Sequence, residues 1–499
     1  MALIMTIAAV HLVFSSQVDA TTSPSELFQR ARTAYTQGDS ATALTLMEKV
    51  VAAEPKNGDA LGWLGFLWLR AGDSVKAVPV LERAITLKPG SADVATNLAN
   101  ALQGLPTKTP AQQTRIQQLF EQAVKINPSA SEAYTGLGFA AYRSGDYAKA
   151  LIAFRRVTEL KPADATAHLN LGLAYARRNQ DADALSSLKR AVTINPKFSA
   201  AWISIAQLEL KAGKASPALT ASSKAMAIEP RNIDALLVHA QAAVAAKRDD
   251  QAQAAYGVIA DIYASPDATA AQKADASPRY NQGVMLVRLN RLADALAAFE
   301  LAAQIDPKHA DTAQNIGTVL FSLGRYSEAL TKFQAAADQD PKSAAKWRNV
   351  ALAARKTADS SVEIGALRKA VALDTTDIVS RQLLAPVLAN SGRSSEAIGL
   401  YRQLGSLQPK SAAPLVAMAT LLMKQDQLDS ALTALKDATG REPGSAVAWN
   451  NLGVLYERRG QINDAIASYK AALKANPSDS DAKANLARFG KSTTGTSKQ

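Results

Sequence analysis

Residues 165–198 read ATAHLNLGLAYARRNQDADALSSLKRAVTINPKF, and the spacing of apolar residues in this stretch decides the fold. His168, Leu171, Gly172 and Tyr175 recur three and four apart, which places them on one face of a helix. Ala184, Leu188 and Ala191 do the same on a second helix, and Asn179 to Asp181 form the turn between the two. Pro196 ends the second helix because it has no N–H to donate. Gly172 removes a side chain where the helices must approach closely, and packing has to offset its propensity cost of about 1 kcal/mol.

The hairpin recurs along the chain. Eleven of the 20 prolines fall at Pro55, Pro89, Pro128, Pro162, Pro196, Pro230, Pro307, Pro341, Pro409, Pro443 and Pro477, mostly 34 residues apart. The step from Pro341 to Pro409 is two periods, with Thr375 where the missing proline would stand. A fixed period of this size means a repeat architecture, here thirteen units between Pro24 and Asp479. Leu105 to Gln113, with Pro106 and Pro110, lengthens the turn inside the third repeat. Ala264 to Ser277 lengthens the link between the seventh and eighth, and Pro266 and Pro278 oppose continuous helix there. Between Thr357 and Asn390 the proline column lapses while Pro386 sits inside a first helix, so this zone is expected to be kinked or weakly packed. The expected organisation is a leader over 1–20, repeats one to seven over 24–263, an extended linker over 264–277, repeats eight to thirteen over 276–479, a capping helix over 480–489 and a disordered tail over 490–499. The linker reads either as a hinge or as a surface loop.

Read in columns, the repeat resembles the tetratricopeptide repeat family. Its signature of a large residue, Leu, Gly, Tyr, Ala, an aromatic, Ala and Pro reappears as Trp449, Leu452, Gly453, Tyr456, Ala465, Tyr469, Ala472 and Pro477. A second copy is Tyr134, Leu137, Gly138, Tyr142 (displaced by one), Ala150, Phe154 and Pro162. The resemblance implies an all-α helical-hairpin solenoid, wound as a right-handed superhelix, whose first helices line a concave surface.

Of the 499 residues, 47% are hydrophobic and 20% charged, which is globular composition. Absence of cysteine excludes disulfides, thiolate metal sites and cysteine nucleophiles. A net charge of +12 makes an acidic peptide, polyanion or anionic surface a more natural partner than a basic one. Met1 to Phe14 are apolar apart from Thr6 and His11 and lead to Val18-Asp19-Ala20, which resembles a secretory signal cut after Ala20. That reading places the mature chain in the periplasm or cell envelope. No Lys or Arg precedes Arg30, so the positive start of such a signal is missing, and an uncleaved anchor or a plain cytoplasmic leader are the alternatives. The apolar run is shorter than the roughly 18 residues that span a bilayer.

Chemistry-bearing motifs are absent. His11 belongs to the leader, His168 and His239 fall at core-facing columns of first helices, and His309 lies in a turn between repeats. There is no H-E-x-x-H, no phosphate-cradling glycine loop and no G-x-S-x-G. No catalytic residue, cofactor or metal is expected, and the carboxylates are spread along helix faces without singling out a pair. Binding has more support. Asn97, Asn170, Asn281, Asn315, Asn349 and Asn451 share the sixth position of the repeat, on the first helix. A carboxamide offers both donor and acceptor to any peptide group, so such a column suits an extended peptide. The other reading is that Asn is simply common at this family position. A basic row follows at Arg70, Arg143, Arg177, Lys211, Arg288, Lys356, Lys424 and Arg458. It either steers acidic ligands or answers the dipole at each helix C-terminus, worth a few tenths of a kcal/mol.

The Lys/Asn/Asn/Lys/Arg set with which chaperone-binding members clamp a terminal carboxylate is not found in any three consecutive repeats. Nucleic acid is a poor fit, since no array of stacking aromatics accompanies the charge. The expected function is a non-catalytic scaffold that docks an extended or helical segment of a partner, supporting an envelope assembly or export complex. The alternatives are binding of an acidic exopolysaccharide and a substrate-presenting accessory role beside a glycosyltransferase.

Overall fold

The 34-residue period resolves into helix pairs of near-constant length, such as Ala165–Arg177 with Asp181–Ile194 and Ala446–Arg458 with Ile462–Ala475. A computed structural model describes residues 22–490, and every regular element among them is a helix. The expected leader and all but the first residue of the expected tail lie outside the described residues.

Local chemistry sets the helix ends. Asn57, Asp164, Ser343 and Ser445 accept backbone N–H groups at the start of first helices, and Asp39, Asp73, Asp146 and Asp359 do so for second helices. Between the two helices the chain reverses through one left-handed residue. Gly38, Gly72, Gly145, Gly213, Gly324, Gly392 and Gly460 take that place with φ from +72° to +87°. Asn179, Lys247, Asn290, Ala358 and Asp426 take it in the others, at +56° to +59°. The third repeat instead carries its insertion there, and the following helix, Pro110–Ile126, opens on a capping box between Thr109 and Gln112.

The first-helix glycine marks the closest approach of each pair. A Cβ on Gly138 would lie 2.4 Å from the Phe154 ring, on Gly172 2.7 Å from Leu188, and on Gly453 2.5 Å from the Tyr469 ring. Phe154, Leu188 and Tyr469 are themselves almost fully buried, so each glycine is the floor of a socket for the partner helix's largest buried side chain.

Proline does more than stop a helix. Its carbonyl accepts the indole N–H of the residue six positions later: Trp202 to Pro196 at 2.9 Å, Trp347 to Pro341 at 3.1 Å and Trp449 to Pro443 at 2.9 Å. Where the proline lapses, at Thr375, the residue six later is Arg381, and its guanidinium donates to the Thr375 carbonyl at 2.8 Å and to that of Asp377 at 2.8 Å. This corrects the expectation of a weakly packed zone. Helix Ile378–Asn390 carries Pro386 inside it, yet Leu384, Ala385 and Leu388 are 2% exposed or less. A buried arginine supplies the donor that tryptophan gives elsewhere, and Asp377, in turn, pairs with Arg348 at 2.7 Å.

Two compact units divide the chain, residues 1–247 and 248–499. Among the described residues the first holds six helix pairs and Ile233–Ala245, with a core through Leu61, Phe120, Phe154 and Leu188. The second begins with Asp249–Tyr263, holds the last six pairs, and ends on Ser480–Gly490, with Phe299, Phe333, Leu367 and Leu435 in its core. The boundary therefore lies at the turn of the seventh repeat and not in the 264–277 segment. The reason is packing: within the second unit, Asp249–Tyr263 packs directly on Ser277–Arg288, so the insertion leaves the stack unbroken. The inserted residues form a short helix, Ala270–Lys273, pinned by Lys273 to the Pro266 carbonyl at 2.9 Å.

Candidate partner-docking site

The asparagine column is half-buried along its helices, except for Asn170, which is buried. Asn315 donates to the Tyr280 hydroxyl at 3.1 Å. The side-chain amides of Asn97, Asn170, Asn281, Asn349 and Asn451 make no hydrogen bond to the rest of the described chain. The four half-buried ones among them keep two donors and an acceptor for another molecule, and that setting raises what such a bond is worth. Asn281, Asn315 and Asn349 stand in three consecutive repeats of the second unit.

In the first unit, Asn97 lines a cleft of about 500 Å³ over the first helices Gly58–Arg70, Ala92–Gly104 and Ser131–Arg143. Its apolar wall is an aromatic cluster. Trp63 meets Phe28 edge-on at 6.4 Å, Tyr35 at 6.0 Å and Phe66 at 5.6 Å between ring centres. Its polar wall carries Asp59, Asp93 and Glu132. The sequence reading did not find this cleft. The signal was present in GDALGWLGFLWLR, where Trp63 and Phe66 stand three apart on one helix face, with Tyr35 one repeat earlier.

The basic row is exposed but largely engaged at home. Arg177 donates to the Tyr142 hydroxyl at 2.7 Å, and Arg458 to the Met423 carbonyl at 3.1 Å, each reaching the preceding repeat. Lys211 bonds Asn179 at 3.1 Å and pairs with Asp181 at 2.9 Å, while Arg288 pairs with Asp249 at 3.1 Å. Arg70 lies over the Phe66 ring and Lys356 over Tyr326. Arg143 and Lys424 have no such partner among the described residues. The row thus works in good part as a tie between neighbouring repeats.

The three described histidines serve structure. His168 stands in the tryptophan column and donates Nε2–H to the Pro162 carbonyl at 3.1 Å, which fixes its tautomer. His239 lies 3.1 Å from the Ser222 hydroxyl, and burial pushes its pKa below the usual imidazole value. His309 caps a helix by accepting the Thr312 N–H at 3.1 Å. Among the described residues no three His, Asp or Glu side chains gather as a metal site, and no helix is long and apolar enough to cross a membrane.

Two family models described as tetratricopeptide repeat match the sequence, one at residues 28–92, 117–165, 140–198, 416–480 and 455–489, the other at 286–355. Together they span more than half of the chain. The chain belongs to the tetratricopeptide repeat family. A search of the curated proteins finds no match. Among solved structures, PilF of Pseudomonas aeruginosa is similar at 20% identity and TM-score 0.36, over 42% of this chain and 92% of its own. A tetratricopeptide repeat protein from Parabacteroides merdae is similar at 16% identity and TM-score 0.36, over 47% and 91%. MamA from Desulfovibrio magneticus is similar at 21% identity and TM-score 0.32, over 35% and 95%. Tetratricopeptide repeats bind protein partners, which is consistent with the half-buried, unpaired carboxamides and the aromatic cleft.

Proposed function

We propose that this tetratricopeptide repeat chain is a non-catalytic scaffold that docks a segment of a partner protein against its first helices, in support of an assembly or export complex of the cell envelope. The observation that carries the reading is the asparagine column, where five of six amides have unspent hydrogen-bonding capacity. Helices hold those amides in place before the partner arrives, so little ordering cost is left for binding. The envelope location rests on the apolar stretch Met1 to Phe14 alone, and N-terminal sequencing of the protein from cells tests it: a retained Met1 in a soluble cytoplasmic fraction would overturn it.

Replacing Asn281, Asn349 and Asn451, the unpaired half-buried amides of the second unit, by alanine tests the docking reading. Each lost hydrogen bond is worth about 0.5–1.5 kcal/mol, so the combined variant should weaken partner capture by tenfold or more while the melting temperature barely moves. In-cell crosslinking of wild type and variant, with the attached protein identified, is the readout. Unchanged capture by the variant would sink the proposal.

A further inference from the structure

We propose that the cleft over the first helices of the second to fourth repeats takes a cationic, extended peptide segment. The inference rests on the docking reading above and adds to it the chemistry of the occupant. It runs against the chain's own net charge of +12, which by itself favours acidic partners.

Three observations support it. Asp59, Asp93 and Glu132 occupy one column, the second residue of three successive first helices, and all three line the same cleft. No Lys or Arg lines it. Asp59 is paired with Lys88 from outside the lining, whereas Asp93 has no cationic partner and Glu132 holds only the Asn100 amide at 3.2 Å. An acid in the first turn of a helix is favourable through the helix dipole, which accounts for the residue type at each position. The dipole does not account for three such acids converging on one aromatic-walled space. Trp63 and Phe66 there give apolar surface to the stems of lysine or arginine side chains, and Asn97 offers its amide to the backbone between them. Like charges along one wall of the cleft are relieved when a cationic segment enters, which is how such a surface selects its ligand.

The test uses the full-length protein and three fluorescein-labelled peptides of equal length, one of alternating lysine and serine, one of alternating glutamate and serine, and one of serine alone, each with a central leucine. Fluorescence anisotropy at low salt should show the lysine peptide binding about tenfold more tightly than the serine peptide, and the glutamate peptide most weakly. The Asp93→Asn, Glu132→Gln double variant should lose the lysine preference, as should raising the salt concentration. Equal affinity for all three peptides, lost on Asn97→Ala, would overturn the charge inference and leave the docking reading standing. No binding of any peptide would overturn both. Self-association of the protein that excludes the lysine peptide would put a second copy in the cleft and overturn the cationic occupant.

Discussion

Arg381 is 5% exposed, and its guanidinium reaches the carbonyls of Thr375 and Asp377, with Nε 3.2 Å from the Gln403 side chain. It stands where Trp347 and Trp449 stand in their own repeats, and it performs the same task of closing the loop before the first helix. Removing it would leave the carbonyl of buried Asp377, and that of more exposed Thr375, without the guanidinium donor. Arg381→Ala should therefore cost about 2 kcal/mol, with a lower urea midpoint for the second unit, since an unsatisfied buried polar group costs roughly 1–3 kcal/mol. Arg381→Trp should recover most of that loss, because an indole N–H can bond the Thr375 carbonyl as it bonds proline elsewhere. A tryptophan variant no more stable than the alanine one would show that Arg381 acts through Gln403 or through charge and not through the column.

At the scale of the helix pair, glycine and alanine change places with opposite sign. Ala358 holds the left-handed turn at φ +59°, a conformation in which a Cβ costs about 1–2 kcal/mol. Ala358→Gly should raise the thermal midpoint, by a net gain of about 0.5–1 kcal/mol once the freer unfolded chain is counted. Gly138→Ala should do the reverse. Helix propensity favours alanine by about 1 kcal/mol, but its Cβ would enter the Phe154 ring, and overpacking of this kind costs about 1–3 kcal/mol. Thermal melts of the two variants check both signs. The same contrast explains what could be read from the sequence. Gly172 against Leu188 was legible as a close approach because apolar spacing defines both helix faces. The turn column was equally periodic, at Gly72, Gly392 and Gly460, but five residues of four other types stand in it, so no single letter advertised it. The Arg381 substitution was illegible because a guanidinium replacing an indole keeps the hydrogen bond and changes every other property. Of the candidate site, the asparagine column was visible as a period, whereas the cleft beside Asn97 depends on how Trp63, Phe66 and Glu132 meet from separate repeats.

At the scale of the whole chain, each repeat in a unit packs on its sequence neighbours, so stability passes from repeat to repeat instead of through one shared centre. Such an array is weakest at its ends. The last repeat is covered by helix Ser480–Gly490, where Ala482 is fully buried, Phe489 stacks on Tyr469 at 6.3 Å, and Arg488 pairs with Glu457 at 2.7 Å. Burial and the Glu457 carboxylate 2.8 Å from its hydroxyl hold the Tyr469 proton firmly, so the phenol stays a donor through the neutral range. Ending the chain after Asp479 would expose the Tyr469 edge and free Glu457 of Arg488. Nearest-neighbour coupling predicts that the damage stays local. Amide exchange should speed up over residues 446–475 by an order of magnitude or more, while helices Ser277–Arg288 and Ala310–Ser322, five and four repeats away, keep their protection. Exchange accelerated evenly across 277–475 would mean that the second unit unfolds as one cooperative body, and the neighbour-by-neighbour account of its stability would fail.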